Sequence, residues 1–223
     1  MSAHLKTKFF QKTWFLYRLG VRETRFLKKP GFKNLMRKIQ FCAGEYYHLY
    51  NRGVNRQPIF FCNENWGFFI KRLRDYCKPD FIDVVAYCLM PNHYHLMVHL
   101  KINELSAKIM QPFTVSYTKA VNVQQKRVGP LFQGPFKATH IDENEYLLHL
   151  SRYIHLNPVF AGLVDHPAKW VFSSYRDYVG LRQGTFPKPD IVLSQFTSCQ
   201  AYVEFVEAYI EEDKKLIEHL MLD

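Results

Sequence analysis

Two short strings in this chain carry residue types that can do chemistry. The first is Pro91-Asn92-His93-Tyr94-His95-Leu96-Met97-Val98. Side chains alternate across a strand, so His93 and His95 project to one face, about 7 Å apart along the chain, while Tyr94, Leu96 and Val98 project to the other. Two imidazoles on one face can each offer a ring nitrogen to a single cation. Taken alone, the spacing fits two exposed strand histidines better than a metal site. The second string is Ser151-Arg152-Tyr153-Ile154-His155-Leu156-Asn157-Pro158. Tyr153 and Asn157 are four residues apart, which places them on one helical face about 6 Å from each other. The residue before a proline is biased away from the helix, so Asn157 is expected at the helix end with its amide turned outward. Its amide oxygen suits a hard cation such as magnesium or manganese. A half-buried core tyrosine and an asparagine C-cap explain the same pair more simply when nothing else is considered.

The elements that must position these residues follow from the patterning. Glu45 to Asn51 alternates as a strand, with Tyr47, Leu49 and Asn51 on one side. Asn63 to Lys78 has apolar residues at helical spacing after a polar cap. Phe81 to Met90 is a β-branched and aromatic run, Pro91-Asn92 is a turn, and His93 to Leu100 alternates again. Asn103 to about Arg127 is predicted as one long helix with a flaw at Pro112, ended by Gly129-Pro130. Phe136 to Ile141 is a short strand. A last helix, from about Asn144 to His155, opens with Asp142 and Glu145 at capping-box spacing. The order predicts an α+β fold: a ferredoxin-like βαββαβ antiparallel sheet whose helices cover one face, with an added helix free to cross the other.

Charge points to a polyanionic partner. The chain of 223 residues carries a formal charge of +10. Residues 1–40 hold eleven Lys/Arg and one acid, whereas residues 203–223 hold seven acids and two lysines. Neutralising phosphates releases condensed counterions, so this basicity favours nucleic acid. The five cysteines form no Cys-x-x-Cys pair, which argues against a disulfide framework or zinc ribbon and suits a reducing cytoplasm. No apolar run approaches the ~20 residues a membrane span requires. The chain divides into a basic extension over 1–40, with Met36 as a second possible start, a regularly patterned domain over 41–180, and a C-terminal extension over 181–223. The last contains an acidic amphipathic helix over about Ala201 to Leu222 that can pack on the body, mediate a dimer or mask a basic groove.

The strings CLMPNHYHLMV, VGPLFQGPFKA and YLLHLSRYIHLNPVFAGLV, followed by WVFSSYRDYVG, resemble the single-tyrosine HUH transposases. These include insertion-sequence transposases and REP-associated tyrosine transposases, and the resemblance spans about residues 42–180 in the same order. It implies the HUH nuclease fold, with the added helix as the catalytic one. It implies that His93 and His95 bind a divalent metal, Mg2+ or Mn2+, that Asn157 is the third ligand, and that Tyr153 is the nucleophile. In this family the tyrosine attacks a phosphodiester of single-stranded, hairpin-bearing DNA, forming a 5′-phosphotyrosine and freeing a 3′-hydroxyl. Gln133 fits the family pattern as a DNA contact. Arg52 and Arg56, with Lys71, Arg72 and Arg74, are candidates for a DNA path or equally for solvated faces. Pro130 and Pro135 stand where relatives often carry histidine and arginine, which removes one candidate phosphate contact. A homodimer stays open, because insertion-sequence relatives tend to be dimers and REP-associated ones can act alone.

Of the fourteen tyrosines, Tyr146 is the nearest rival to Tyr153, but eleven residues separate it from Asn157, roughly 16 Å at helical rise. A non-cleaving DNA-binding regulator on the same fold is the alternative function. The presence of His93, His95, Tyr153 and Asn157 together argues against it, and the lone tyrosine fits the transposase branch better than a relaxase or replication initiator.

Overall fold

In the computed structural model, residues 40–208 are described. Strands β1 (Tyr46–Arg52), β2 (Ile82–Met90), β3 (His93–Leu100) and β4 (Lys137–Ile141) form one antiparallel sheet in the order β2-β3-β1-β4. Helix α1 (Asn63–Tyr76) links β1 to β2, α2 (Gln111–Gln124) precedes β4, and α3 (Asn144–Phe160) follows it. This is the expected ferredoxin-like arrangement with an added helix.

Alternation along the central strands builds two cores. On β3, Tyr94, Leu96, Val98 and Leu100 point into one core with Tyr47 and Leu49 of β1. Helices α1 and α2 cover that face with Trp66, Phe69, Leu73, Phe113, Tyr117 and Val121. The Phe69 ring meets Phe113 and Tyr117 edge-on at centroid distances of 4.9 and 4.8 Å, the arrangement that aromatic quadrupoles favour. On the opposite face Met97 joins Leu147, Leu150 and Ile154 of α3. Strand β2 is buried on both faces, and a bulge between Val84 and Ala86 sends Val85 and Ala86 together into the second core.

The second core is closed by chain beyond the repeat. Short helices α4 (Tyr175–Tyr178) and α5 (Asp190–Leu193) contribute Tyr175, Tyr178 and Val192. Residues 199–208 are helical (α6) and bury Tyr202 and Val206 in the same cluster. Of the three roles open to the C-terminal amphipathic segment, packing on the body is the one seen in its described part. Residues 1–39 of the basic extension, Met36 included, and residues 209–223 lie outside the described residues.

Three local expectations need correction. The segment predicted as one helix from Asn103 begins as a π-helical stretch, Leu105–Met110, and becomes α-helical at Gln111. Pro112 has no N–H to return to Lys108, so the change of winding falls where that bond is lost. Helix α3 does not stop before Pro158 but continues to Phe160. Proline removes one backbone bond, yet Leu156 and Pro158 are buried and Ala161 N–H still reaches the Asn157 carbonyl at 3.0 Å. Tertiary packing here outweighs the local bias against a helical residue before proline. The N-cap of α3 is Glu143, without a side-chain capping bond, so the Asp142 capping box does not form.

Candidate metal and nucleophile site

The strand register decides what surrounds the two histidines. Opposite β3, Arg52 pairs with His93, Tyr50 with His95, and His48 with Met97. These side chains share the face that α3 crosses, and α3 brings Tyr153 and Asn157 to the same place. The His93 and His95 rings lie edge-to-face at 5.0 Å, and the His95 and Tyr153 rings lie edge-to-face at 5.5 Å. His93 Nε2 is 3.4 Å from Asn157 Oδ1. The four residues singled out by type and spacing are therefore neighbours. Asn157 reaches the cluster from within the helix body, not from its end.

The hydrogen-bond network fixes the tautomer of His93. Asn92 Nδ2 donates to the Arg56 carbonyl at 3.2 Å, so its Oδ1 faces His93 Nδ1, 2.7 Å away, and must accept from it. The second nitrogen of a neutral His93 is then bare. Burial lowers the His93 pKa; the Asn157 contact raises it in part, and the Arg52 charge lowers it further. His93 Nε2 and Asn157 Oδ1 thus oppose two lone pairs with no proton between them. Rotating the amide would give His93 a donor but leave Oδ1 without one. As placed, Asn157 Nδ2 and His95 Nε2 are both buried with no hydrogen-bond partner.

Unsatisfied buried polar atoms are costly, and a cluster of them marks a site built for something the protein itself does not supply. Burial, reinforced by His48 and His93, holds the His95 pKa well below the usual histidine value. Two uncharged imidazoles and an amide oxygen are a donor set that a divalent cation such as Mg2+ or Mn2+ can use. Among the described residues no group of three or more His, Cys, Asp or Glu side chains is spaced to hold a metal. The group that stands beside the two histidines is the Asn157 amide, with Oδ1 3.4 Å from His93 Nε2.

The polar candidates divide cleanly. Arg52 Nε donates to Gln133 Oε1 at 2.6 Å, and Gln133 N–H donates to the Arg52 carbonyl at 2.8 Å. This pair stands at the exposed edge beside His93. Arg56 is exposed, with a left-handed backbone at φ 59°, and its carbonyl anchors Asn92. Arg72 binds Asp75 and Tyr76, and Arg74 lies over the Phe186 ring; like Lys71 they belong to α1, which covers the other face of the sheet. His99 stacks on Tyr46 at 4.6 Å, and His149 accepts from Arg152 at 2.7 Å. Tyr117 is core, its hydroxyl donating to the Ile59 carbonyl at 2.7 Å.

Two features escaped the sequence reading. His48 is buried beneath the site, with Nε2 2.9 Å from His95 Nδ1. Its strand phase was readable, but its closeness to His95 depends on the pairing of β1 with β3. Behind α3, His155 Nδ1 meets the Tyr202 hydroxyl at 2.7 Å and His155 Nε2 meets Ser174 Oγ at 2.8 Å. Tyr202 in turn donates to Ser151 Oγ, and Ser151 to the Leu148 carbonyl. With the His155 proton on Nδ1, every group in this chain is satisfied. It ties α6 to the helix that carries Tyr153 and Asn157.

Comparison with known proteins agrees with this architecture. Residues 43–157, more than half of the chain, match the family described as transposase IS200 like. A Haemophilus influenzae protein described as a REP-associated tyrosine transposase is 28% identical over 109 residues, covering 44% of this chain and 62% of that protein. The match thus spans less than two thirds of that relative. A solved structure of a REP-associated tyrosine transposase bound to a REP hairpin shares the fold at a TM-score of 0.53 and 21% identity, over 63% of this chain and 82% of the other. Among the described residues no helix is long and apolar enough to cross a membrane. With its sheet order, its added helix and its matched residues 43–157, the chain belongs to the IS200-like transposase family.

Proposed function

We propose that this protein is a metal-dependent strand transferase that cuts and rejoins single-stranded, hairpin-bearing DNA through Tyr153. The observation that carries the proposal is a cluster of polar atoms that the protein leaves without complementary partners. His93 Nε2 and Asn157 Oδ1 face each other at 3.4 Å, and the buried, unpartnered His95 Nε2 belongs to a ring in edge contact with Tyr153. His93, His95 and Asn157 would hold a divalent cation, Mg2+ or Mn2+, and such an ion would supply polarisation of the scissile phosphate and compensation of transition-state charge.

Tyr153 supplies the nucleophile. A phenol has a pKa near 10 in water, so it must lose its proton to react. Its oxygen attacks phosphorus and forms a 5′-phosphotyrosine ester. The P–O3′ bond breaks, and the leaving 3′ oxygen takes up a proton. Attack by a 3′-hydroxyl on that ester reverses the step, rejoins a strand and restores the phenol. The ester conserves the energy of the broken bond, so no nucleotide cofactor is consumed. Arg52 and Gln133, coupled at 2.6 Å on the exposed edge beside His93, are suited to hold a backbone phosphate. Arg56 is exposed, and its carbonyl holds Asn92 beside His93, so its charge would add to the same path. The relative bound to a REP hairpin supports a hairpin as the ligand class.

The test is a denaturing gel of the full chain incubated with Mn2+ and hairpin oligonucleotides taken from the DNA that flanks its gene. A protein–DNA adduct that resists denaturant and disappears in Tyr153→Phe is the expected result. An adduct that persists in Tyr153→Phe refutes the assignment and moves the nucleophile to Tyr146. Tight hairpin and Mn2+ binding without any adduct identifies a non-cleaving regulator, with Pro130 and Pro135 as the first positions to restore.

A further inference from the structure

The proposed metal site leaves one protein-side requirement open, which is the position of the proton on His95. An imidazole binds a cation only through a bare nitrogen, and in a neutral ring the other nitrogen carries the proton. His95 Nε2 is the buried atom without a partner. For that atom to be bare, Nδ1 must carry the proton and donate it to an acceptor. The atom next to His95 Nδ1 is His48 Nε2, at 2.9 Å.

We propose that His48 is the positioning residue of the site: it accepts the His95 Nδ1 proton and thereby holds His95 in the tautomer that presents Nε2 to a metal. Three observations carry this. Both side chains are buried, with relative exposures of 5% for His48 and 7% for His95, so water is a poor substitute for the contact. The two rings are nearly parallel, 22° apart with centroids at 5.1 Å, and Tyr50 stacks on His48 at 4.9 Å and on His95 at 6.0 Å, which limits ring rotation. In the opposite tautomer His95 would place a buried N–H at Nε2 with nothing to accept it, an arrangement that costs about 1–3 kcal/mol. His93 is fixed by the same logic through a different partner, since its Nδ1 donates to Asn92 Oδ1 at 2.7 Å. Each imidazole therefore has its own orienting acceptor, one an amide and one a second imidazole. An acceptor behind a metal-binding histidine both orients the ring and raises its basicity.

The inference rests on the metal reading above, and its test separates the two. Mn2+ binding to the full-length chain is measured by calorimetry for the wild type, His95→Ala, His48→Phe and His48→Gln, alongside thermal denaturation in chelator. Phenylalanine keeps a ring but offers no acceptor, whereas the glutamine amide oxygen can take the place of Nε2. The expected result is wild-type binding that His95→Ala abolishes, weakened about 10–100-fold in His48→Phe and restored toward wild type in His48→Gln. The metal-free stability of His48→Phe should not track its loss of affinity. In the metal-free wild type, nitrogen-15 spectra of the His95 ring should show the proton on Nδ1, with His48→Phe shifting it toward Nε2. Wild-type protein that binds no Mn2+ refutes the metal reading itself. Wild-type binding that His48→Phe leaves intact, or a His95 ring protonated on Nε2, overturns the role of His48 alone. So does a His48→Gln variant as weak as His48→Phe.

Discussion

Acid should destabilise this protein through His155 in a way that one substitution can isolate. The His155 ring is fully buried between Ser174 and Tyr202, and burial pushes its pKa down to about 3. An unfolded histidine titrates near 6.5. The unfolded chain therefore takes up the proton first as pH falls. The contribution of the neutral ring is complete above pH ~6.5 and is lost progressively as pH drops toward the folded value. At pH 5 the unfolded residue is about 97% protonated and the folded one essentially neutral, so 1.5 pH units at 1.36 kcal/mol each give a loss of about 2 kcal/mol. His155→Gln retains a donor and an acceptor but cannot titrate. Urea unfolding followed by circular dichroism at pH 7.5 and pH 5.0, in chelator, gives four stabilities. The wild type should lose about 2 kcal/mol more than the variant between the two pH values. His48, whose pKa burial also lowers to about 3, and His95 contribute in the same direction in both proteins and cancel in the comparison. Equal losses in wild type and variant would show that His155 is not held neutral in the native state, and would refute the buried chain that links α6 to α3.

Other expectations are independent of that one. Arg52→Ala should weaken hairpin binding across sequences alike and reduce the salt dependence by about one phosphate contact, read by fluorescence anisotropy over a salt series. Tyr202→Phe strands His155 Nδ1 and removes the bond to Ser151, so chemical denaturation should show a loss of about 1–3 kcal/mol. In Gly53→Ala, the added Cβ would overlap the Gln57 carbonyl oxygen. Since Gly53 N–H also donates to the Asn92 carbonyl at 2.8 Å, the variant should lose about 1–3 kcal/mol and disturb the support of His93, visible as weaker Mn2+ binding. Truncating the buried Phe69 to alanine should cost about 3–5 kcal/mol in the same denaturation assay.

The elements of the sheet and its helices were legible because each has its own period. Alternation over 93–100 predicts which face of β3 carries histidines, and the structure agrees residue by residue. The four-residue step from Tyr153 to Asn157 likewise predicts one helical face. Where local rules competed with packing, the rules failed: Pro158 sits inside α3, and Asp142 does not cap it. The π-helical turn before Gln111 was invisible because its apolar positions, Leu105, Ile109 and Met110, read equally well as the first turns of an α-helix.

Within the candidate site, the sequence alone determined the chemistry on offer: two imidazoles on one strand face, and a phenol and an amide on one helix face, since those relations follow from backbone geometry over two to four residues. Which face α3 would cross was a matter of tertiary structure, and so was the neighbourhood that results. Pairing β1 with β3 placed His48 under His95 and Arg52 beside His93. The loop after α2 brought Gln133 to Arg52, eighty-one residues away. Such contacts depend on register and packing between distant segments. No local period encodes them, because the side chains that meet are chosen by which buried faces fit together.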